Sequence, residues 1–108
     1  MLRLGAVVLR VSDVDRAGAF WSEALGLERH PDNTDFLLPR GPVPATRLHL
    51  DRRDRTHLDL WADDAADREV QVARLVALGA RRVAWNYPED ADFVVLADPD
   101  DNLFCVVG

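Results

Sequence analysis

Arg47-Leu48-His49-Leu50-Asp51 runs through a charged connector, Arg52 to Arg55, into Thr56-His57-Leu58-Asp59-Leu60-Trp61. Both runs alternate, and on a strand successive side chains point to opposite faces. Leu48 and Leu50 are expected to face a core, as are Leu58 and Leu60. Arg47, His49, Asp51, His57, Asp59 and Trp61 are expected on the other side. That second face is rich in groups that hydrogen-bond, titrate or coordinate.

Working outward, the two runs close one series of elements and open a second. Gly5 to Val11 is β-branched and predicts a strand. Ser12-Asp13 caps a helix in which Ala17, Phe20, Trp21, Ala24 and Leu25 recur at helical spacing, and Gly26 stops it. Strands are expected around Leu27 to His30 and Asp35 to Leu38, joined by a turn at Pro31-Asp32-Asn33, where His30 is expected in solvent. A proline-rich bend, Pro39 to Pro44, leads into the first histidine strand.

After the connector the order repeats. His57 to Ala62 is a strand, Asp63-Asp64 a cap, and a helix shows Val72, Leu75 and Val76 on one face before Leu78-Gly79 ends it. Arg82 to Trp85, Phe93 to Ala97 and Leu103 to Val107 predict three more strands. The turn Asp98 to Asn102 requires a left-handed residue, for which Asp101 is suited. Laid over each other, Ala6 falls on His57, Leu25-Gly26 on Leu78-Gly79, and His49 on Cys105. Identity between the halves is low, so the matched order carries the argument. The expectation is one domain, residues 1–108, built as strand-helix-strand-strand-strand twice, with units at about 3–51 and 55–108.

Bulk properties narrow the class. A chain of 108 residues buries one core, and 48% hydrophobic with 30% charged residues fits a globular protein. A net charge of −6 with arginines interleaved among aspartates speaks against nucleic-acid binding. All positive residues are arginine, a sign of GC-rich, bacterial coding. The lone Cys105 excludes an internal disulfide and suits a reducing compartment, and no apolar run has membrane-spanning length. A cytoplasmic protein with no membrane or nucleic-acid partner is expected.

Five stretches in order resemble the vicinal oxygen chelate superfamily of glyoxalases, bleomycin-resistance proteins and extradiol dioxygenases, in its glyoxalase-like domain branch. They are Val7 to Asp13, Ala19 to Leu27, His57 to Asp64, Leu75 to Ala80 and Ala97 to Phe104. The resemblance implies an α+β fold of two βαβββ units, a curved mixed sheet around a cup with the helices on its outer face. It also implies a homodimer that binds a small organic molecule. In metal-dependent relatives the ligands come from the first and last strands of each unit, and the matching positions here are Ala6, His49, His57 and Cys105.

Ala6 coordinates nothing, and Cys105 lies among apolar neighbours where cysteine is commonly inert. No cofactor is therefore expected. The alternative is a zinc enzyme using His49, His57 and Cys105, with an open position for water or substrate. A further alternative is acid-base catalysis by His57 and Asp59, against which stands a purely structural His57–Asp59 network. Arg10 and Arg47 suit an anionic ligand, or else internal ion pairs to Asp59 or Asp51. Trp21 is expected in the core. Trp61 and Trp85 suit a flat ligand, or else a subunit contact. The ligand-binding set expected from sequence is thus Arg10, Arg47, His49, His57, Asp59, Trp61 and Cys105. The pattern does not name the ligand, and fold alone does not decide between binder and enzyme.

Overall fold

The computed structural model describes residues 1–40 and 46–108. These form β1 (Arg3–Arg10), α1 (Val14–Leu25), β2 (Leu27–Arg29), β3 (Phe36–Pro39), β4 (Arg47–Asp51), β5 (His57–Trp61), α2 (Ala65–Ala77), β6 (Arg81–Arg82), β7 (Phe93–Ala97) and β8 (Leu103–Val107). The fold is α+β, with the strand-helix-strand-strand-strand order used twice. Two compact units result, Gly5–Thr56 and His57–Gly108, the latter including Met1–Leu4. The expected proline bend falls largely at 41–45, outside the described residues. Among the described residues no helix is long and apolar enough to cross a membrane.

In the first unit β1 and β4 pair in parallel, while β3 pairs antiparallel with both β4 and β2. The Asp13 carboxylate accepts the Arg16 N–H at 3.0 Å and starts α1. Gly26, at φ 67°, ends it in the left-handed conformation that glycine adopts without cost. Helix α1 lies against β2, β3 and β4. Leu37 and Leu50 on that face are fully buried, as the alternation required.

The apolar stripe of α1 is not its buried side. Phe20 is 63% exposed and Leu25 58%, whereas Gly18 is the buried residue. Trp21 is half-buried and meets Phe20 edge-on, at 5.1 Å between ring centroids. The reason is Arg29 on β2. Its guanidinium lies across α1, with Nη2 donating to the carbonyls of Val14 (3.3 Å) and Asp15 (3.0 Å) and Nη1 to the Asp15 carboxylate (3.0 Å). A Cβ on Gly18 would collide with that guanidinium.

In the second unit β5 and β8 pair in parallel, and β7 pairs antiparallel with both β8 and β6. Asp64 caps α2 by accepting the Asp67 N–H at 2.7 Å. Val72 of α2 meets Leu96 and Val106 in a fully buried cluster, with Leu2, Ala62, Leu75, Ala80, Val94 and Phe104 packed around it. Burial of each of the three central side chains stabilises the unit by about 1.5–3 kcal/mol. Val76 is 40% exposed, so it does not share the buried face with Val72. Leu58 is 44% exposed, contrary to its expected core role. Helix α2 packs on β8.

The strand expected at Arg82 to Trp85 is confined to Arg81–Arg82. Further along β7, the Val95 N–H donates to the Tyr87 hydroxyl at 2.8 Å, so a side chain does there what a longer β6 would have done. The turn into β8 is closed by Asp98, whose carboxylate accepts the N–H groups of Asp100 (2.9 Å) and Asn102 (2.8 Å) and the Asn102 side-chain amide (2.9 Å). Asp101 takes φ 68°, as expected for this turn.

Two outcomes follow from these packings. Alanine at Gly18 gains helix propensity of about 0.5–1 kcal/mol but displaces a charged donor worth about 1.5–3 kcal/mol. Gly18→Ala is therefore expected to destabilise by about 1 kcal/mol in urea melts, and to become stabilising in an Arg29→Ala background. The hydrogen bonds from Asn102, side chain first, and from Asp100 hold the Asp98 carboxyl below the usual carboxylate range. A lowered carboxyl stabilises the fold above its unfolded pKa and loses that effect as pH falls through the folded value. Asp98→Ala is expected to lower the melting temperature at neutral pH, with the difference from the parent chain shrinking in acid.

Candidate functional site

Register builds the second unit's polar face. In β5 and β8, Asp59 and Cys105 are direct partners, so their side chains leave the sheet on one side, about 4.8 Å apart. His57 precedes Asp59 by two residues and shares that face. Leu96 and Val106 point to α2, so His57, Asp59 and Cys105 lie on the opposite face from the helix. Val95 and Ala97 on the same face are buried, at 2% and 0% exposure.

His57 Nε2 lies 3.0 Å from Asp59 Oδ1, with side chains 8% and 17% exposed. The donor atoms of His57, Asp59 and Cys105 all lie within 4.8 Å of one another. A carboxylate only accepts, so in its neutral form the His57 ring carries its proton on Nε2, facing Asp59. Such an imidazole is oriented by its carboxylate partner. Imidazole, carboxylate and thiol together suit a borderline-soft cation such as zinc better than magnesium.

Trp61 continues the same face along β5, and the Arg3 guanidinium stands 5.2 Å from its ring centroid. Trp85 is 42% exposed and lies outside the strand expected for it. Tyr87 was not singled out by the sequence. It packs against Phe93 at 5.5 Å between centroids, and only the Val95 contact reveals its place.

The remaining candidates belong to the first unit. His49 pairs in register with Val8 and Phe36. Its ring meets Phe36 edge-on at 4.7 Å, and its Nε2 is 3.8 Å from Asp51. The Arg47 guanidinium stands 3.7 Å over the Phe36 ring. Arg10 is exposed at the end of β1. His30 is half-buried, with Nδ1 accepting the N–H groups of Asp32 (3.1 Å) and Asn33 (3.2 Å), which makes it the clasp of its turn.

The first unit also has a cleft of about 600 Å³ lined by Val14, Asp15, Thr34, Asp35, Asp51, Arg52 and Arg53. Two of its three acids already serve the fold. Asp15 binds Arg29, and Asp51 accepts the N–H groups of Arg53 and Asp54. Cleft size alone therefore does not outweigh the clustered chemistry of the second unit.

Registers also align the two units. Val8 stands to His49 as Asp59 stands to Cys105, and Ala6 then corresponds to His57. The glyoxalase-like domain family model matches residues 6–107, nearly the whole chain. The chain belongs to the glyoxalase-like domain family. Its fold is similar to a structure titled NAD-dependent benzaldehyde dehydrogenase from Legionella pneumophila (TM-score 0.67, 13% identity, 94% of this chain and 96% of that one). A glyoxalase/bleomycin resistance protein/dioxygenase superfamily member from Vibrio splendidus 12B01 is similar at TM-score 0.53 and 18% identity (98% and 97% covered). So is methylmalonyl-CoA epimerase from Mycobacterium tuberculosis, at 0.53 and 19% (96% and 85% covered). At these identities the likeness shows the fold. A search of curated proteins gave no match.

In this glyoxalase-like domain Asp59 stands beside His57 and Cys105. In metal-free protein, ¹⁵N-edited NMR of the His57 ring is expected to show the neutral form protonated at Nε2. Asp59→Ala should remove that preference.

Proposed function

We propose that this glyoxalase-like domain binds a small organic molecule at the His57, Asp59 and Cys105 face of its second unit. One observation carries the reading: three polar side chains converge on a face whose neighbours Val95 and Ala97 are apolar and buried. A few placed polar groups on an apolar wall are the usual composition of a small-molecule site. None of the three is fully buried, so each retains access to a partner. Cys105 supplies a weak S–H donor and Asp59 acceptor oxygens for a polar ligand, and Trp61 offers a ring on the same side. The family membership supports a ligand-binding scaffold without naming the ligand. Self-association, as the family resemblance implies, would cover Phe20 and Leu25 on α1.

The test is tryptophan-fluorescence quenching across a panel of planar and anionic carboxylic and carbonyl compounds. Saturable quenching by at least one compound is expected, weakened about tenfold or more in His57→Gln. Silence across the panel overturns the reading.

A further inference from the structure

We propose that the cleft of the first unit is a separate binding site that takes a small zwitterion of the amino-acid or dipeptide class. It shares no residue with the His57, Asp59 and Cys105 face and goes beyond the function proposed for that face.

The cleft opens at the carboxyl ends of the parallel strands β1 and β4. Just past β1, the Val11 N–H still donates to the Asp51 carbonyl at 2.7 Å. In open sheets with parallel strands, crevices at those ends are where ligands bind. A volume of about 600 Å³ also suits a small organic molecule. Val14 is the one apolar side chain among the described lining residues, so the cleft favours a polar ligand.

Each wall is held in place by bonds of its own. The Asp51 carboxylate accepts the N–H groups of Arg53 (2.8 Å) and Asp54 (2.9 Å), which fixes the turn that carries Arg52 and Arg53. The Asp35 N–H donates to the Asn33 side-chain oxygen (3.1 Å), and the Asp35 carbonyl accepts the Leu50 N–H (2.8 Å). At the start of α1, Asp15 is tied to Arg29 at 3.0 Å. Walls set before a ligand arrives lower the ordering cost of binding.

Charge then selects the ligand. Asp15 and Asp51 are engaged as above. Asp13, whose carboxyl feels the Arg52 charge, accepts the Arg16 N–H as the cap of α1. The half-buried Asp35 carboxylate and the exposed Arg52 and Arg53 guanidiniums make no hydrogen bond or ion pair among the described residues. A simple anion would meet the arginines but be repelled by Asp35, and a simple cation would meet the reverse. A molecule with both an ammonium and a carboxylate satisfies the two sides at once. The guanidiniums offer forked N–H donors to its carboxylate, and Asp35 accepts from its ammonium. The Thr34 hydroxyl, also in the lining, can donate to or accept from a peptide group between them.

The experiment titrates the full, ¹⁵N-labelled chain with glycylglycine at low salt and follows the amide shifts. Saturable shifts at Thr34, Asp35, Arg52 and Arg53 are expected, with millimolar affinity that weakens at about 0.5 M sodium chloride. N-acetylglycine and glycinamide, which each keep one of the two charges, are expected to bind about threefold or more weaker. Asp35→Asn should abolish the preference for glycylglycine over N-acetylglycine. Arg52→Gln combined with Arg53→Gln should remove the saturable shifts, and the dispersion of each variant's amide spectrum shows that it has folded. Silence at those four amides, equal binding of N-acetylglycine and glycylglycine, or an unchanged preference in Asp35→Asn overturns the proposal. Tryptophan quenching reads the second unit's face, so failure of either reading leaves the other standing.

Discussion

Parallel pairing of the first and last strand within each unit is the constraint on which the molecule depends. It joins strands separated in sequence by a helix and two further strands, β1 with β4 and β5 with β8. Because side chains alternate, a slip of one residue between β5 and β8 would carry Asp59 or Cys105 to the helix side and break the cluster. The buried contacts of Val72, Leu96 and Val106 on the opposite face oppose that slip. Packing on one side of the sheet thus fixes chemistry on the other.

The two units solve the same architectural problem with different residues. In the second, a β-branched and leucine cluster seats α2 on the sheet. In the first, Arg29 reaches from β2 across α1 and binds its opening carbonyls and Asp15, and Gly18 gives it room. That polar seat rotates the apolar stripe of α1 outward, which leaves Phe20 and Leu25 in solvent. The divergence extends to the site positions. His57, Asp59 and Cys105 in one unit answer to Ala6, Val8 and His49 in the other. The polar cluster thus stands in one unit only, among the described residues.

His49 serves a different role. Between Phe36 and Asp51, with Arg47 stacked on the same phenyl ring, it belongs to a cation-aromatic arrangement that spans β3 and β4. Such contacts hold a guanidinium and an imidazole against one aromatic ring. The contrast with His57, which has a carboxylate at 3.0 Å and a thiol nearby, separates two histidines that look alike in sequence.

The sequence by itself determined the element order, both helix caps, the closing glycines and the left-handed Asp101, because each depends on neighbours within a few residues. It also determined the repeat and the face that His57 and Asp59 share, since alternation along a strand is local. Tertiary structure alone decided that Asp59 and Cys105 are partners, that Arg29 and not Phe20 seats α1, that Leu58 is uncovered, and that Tyr87 takes the place of a longer β6. Each of those results joins residues from different elements. Which side chain wins such a contact depends on register and packing across the sheet, and no periodicity along the chain encodes it.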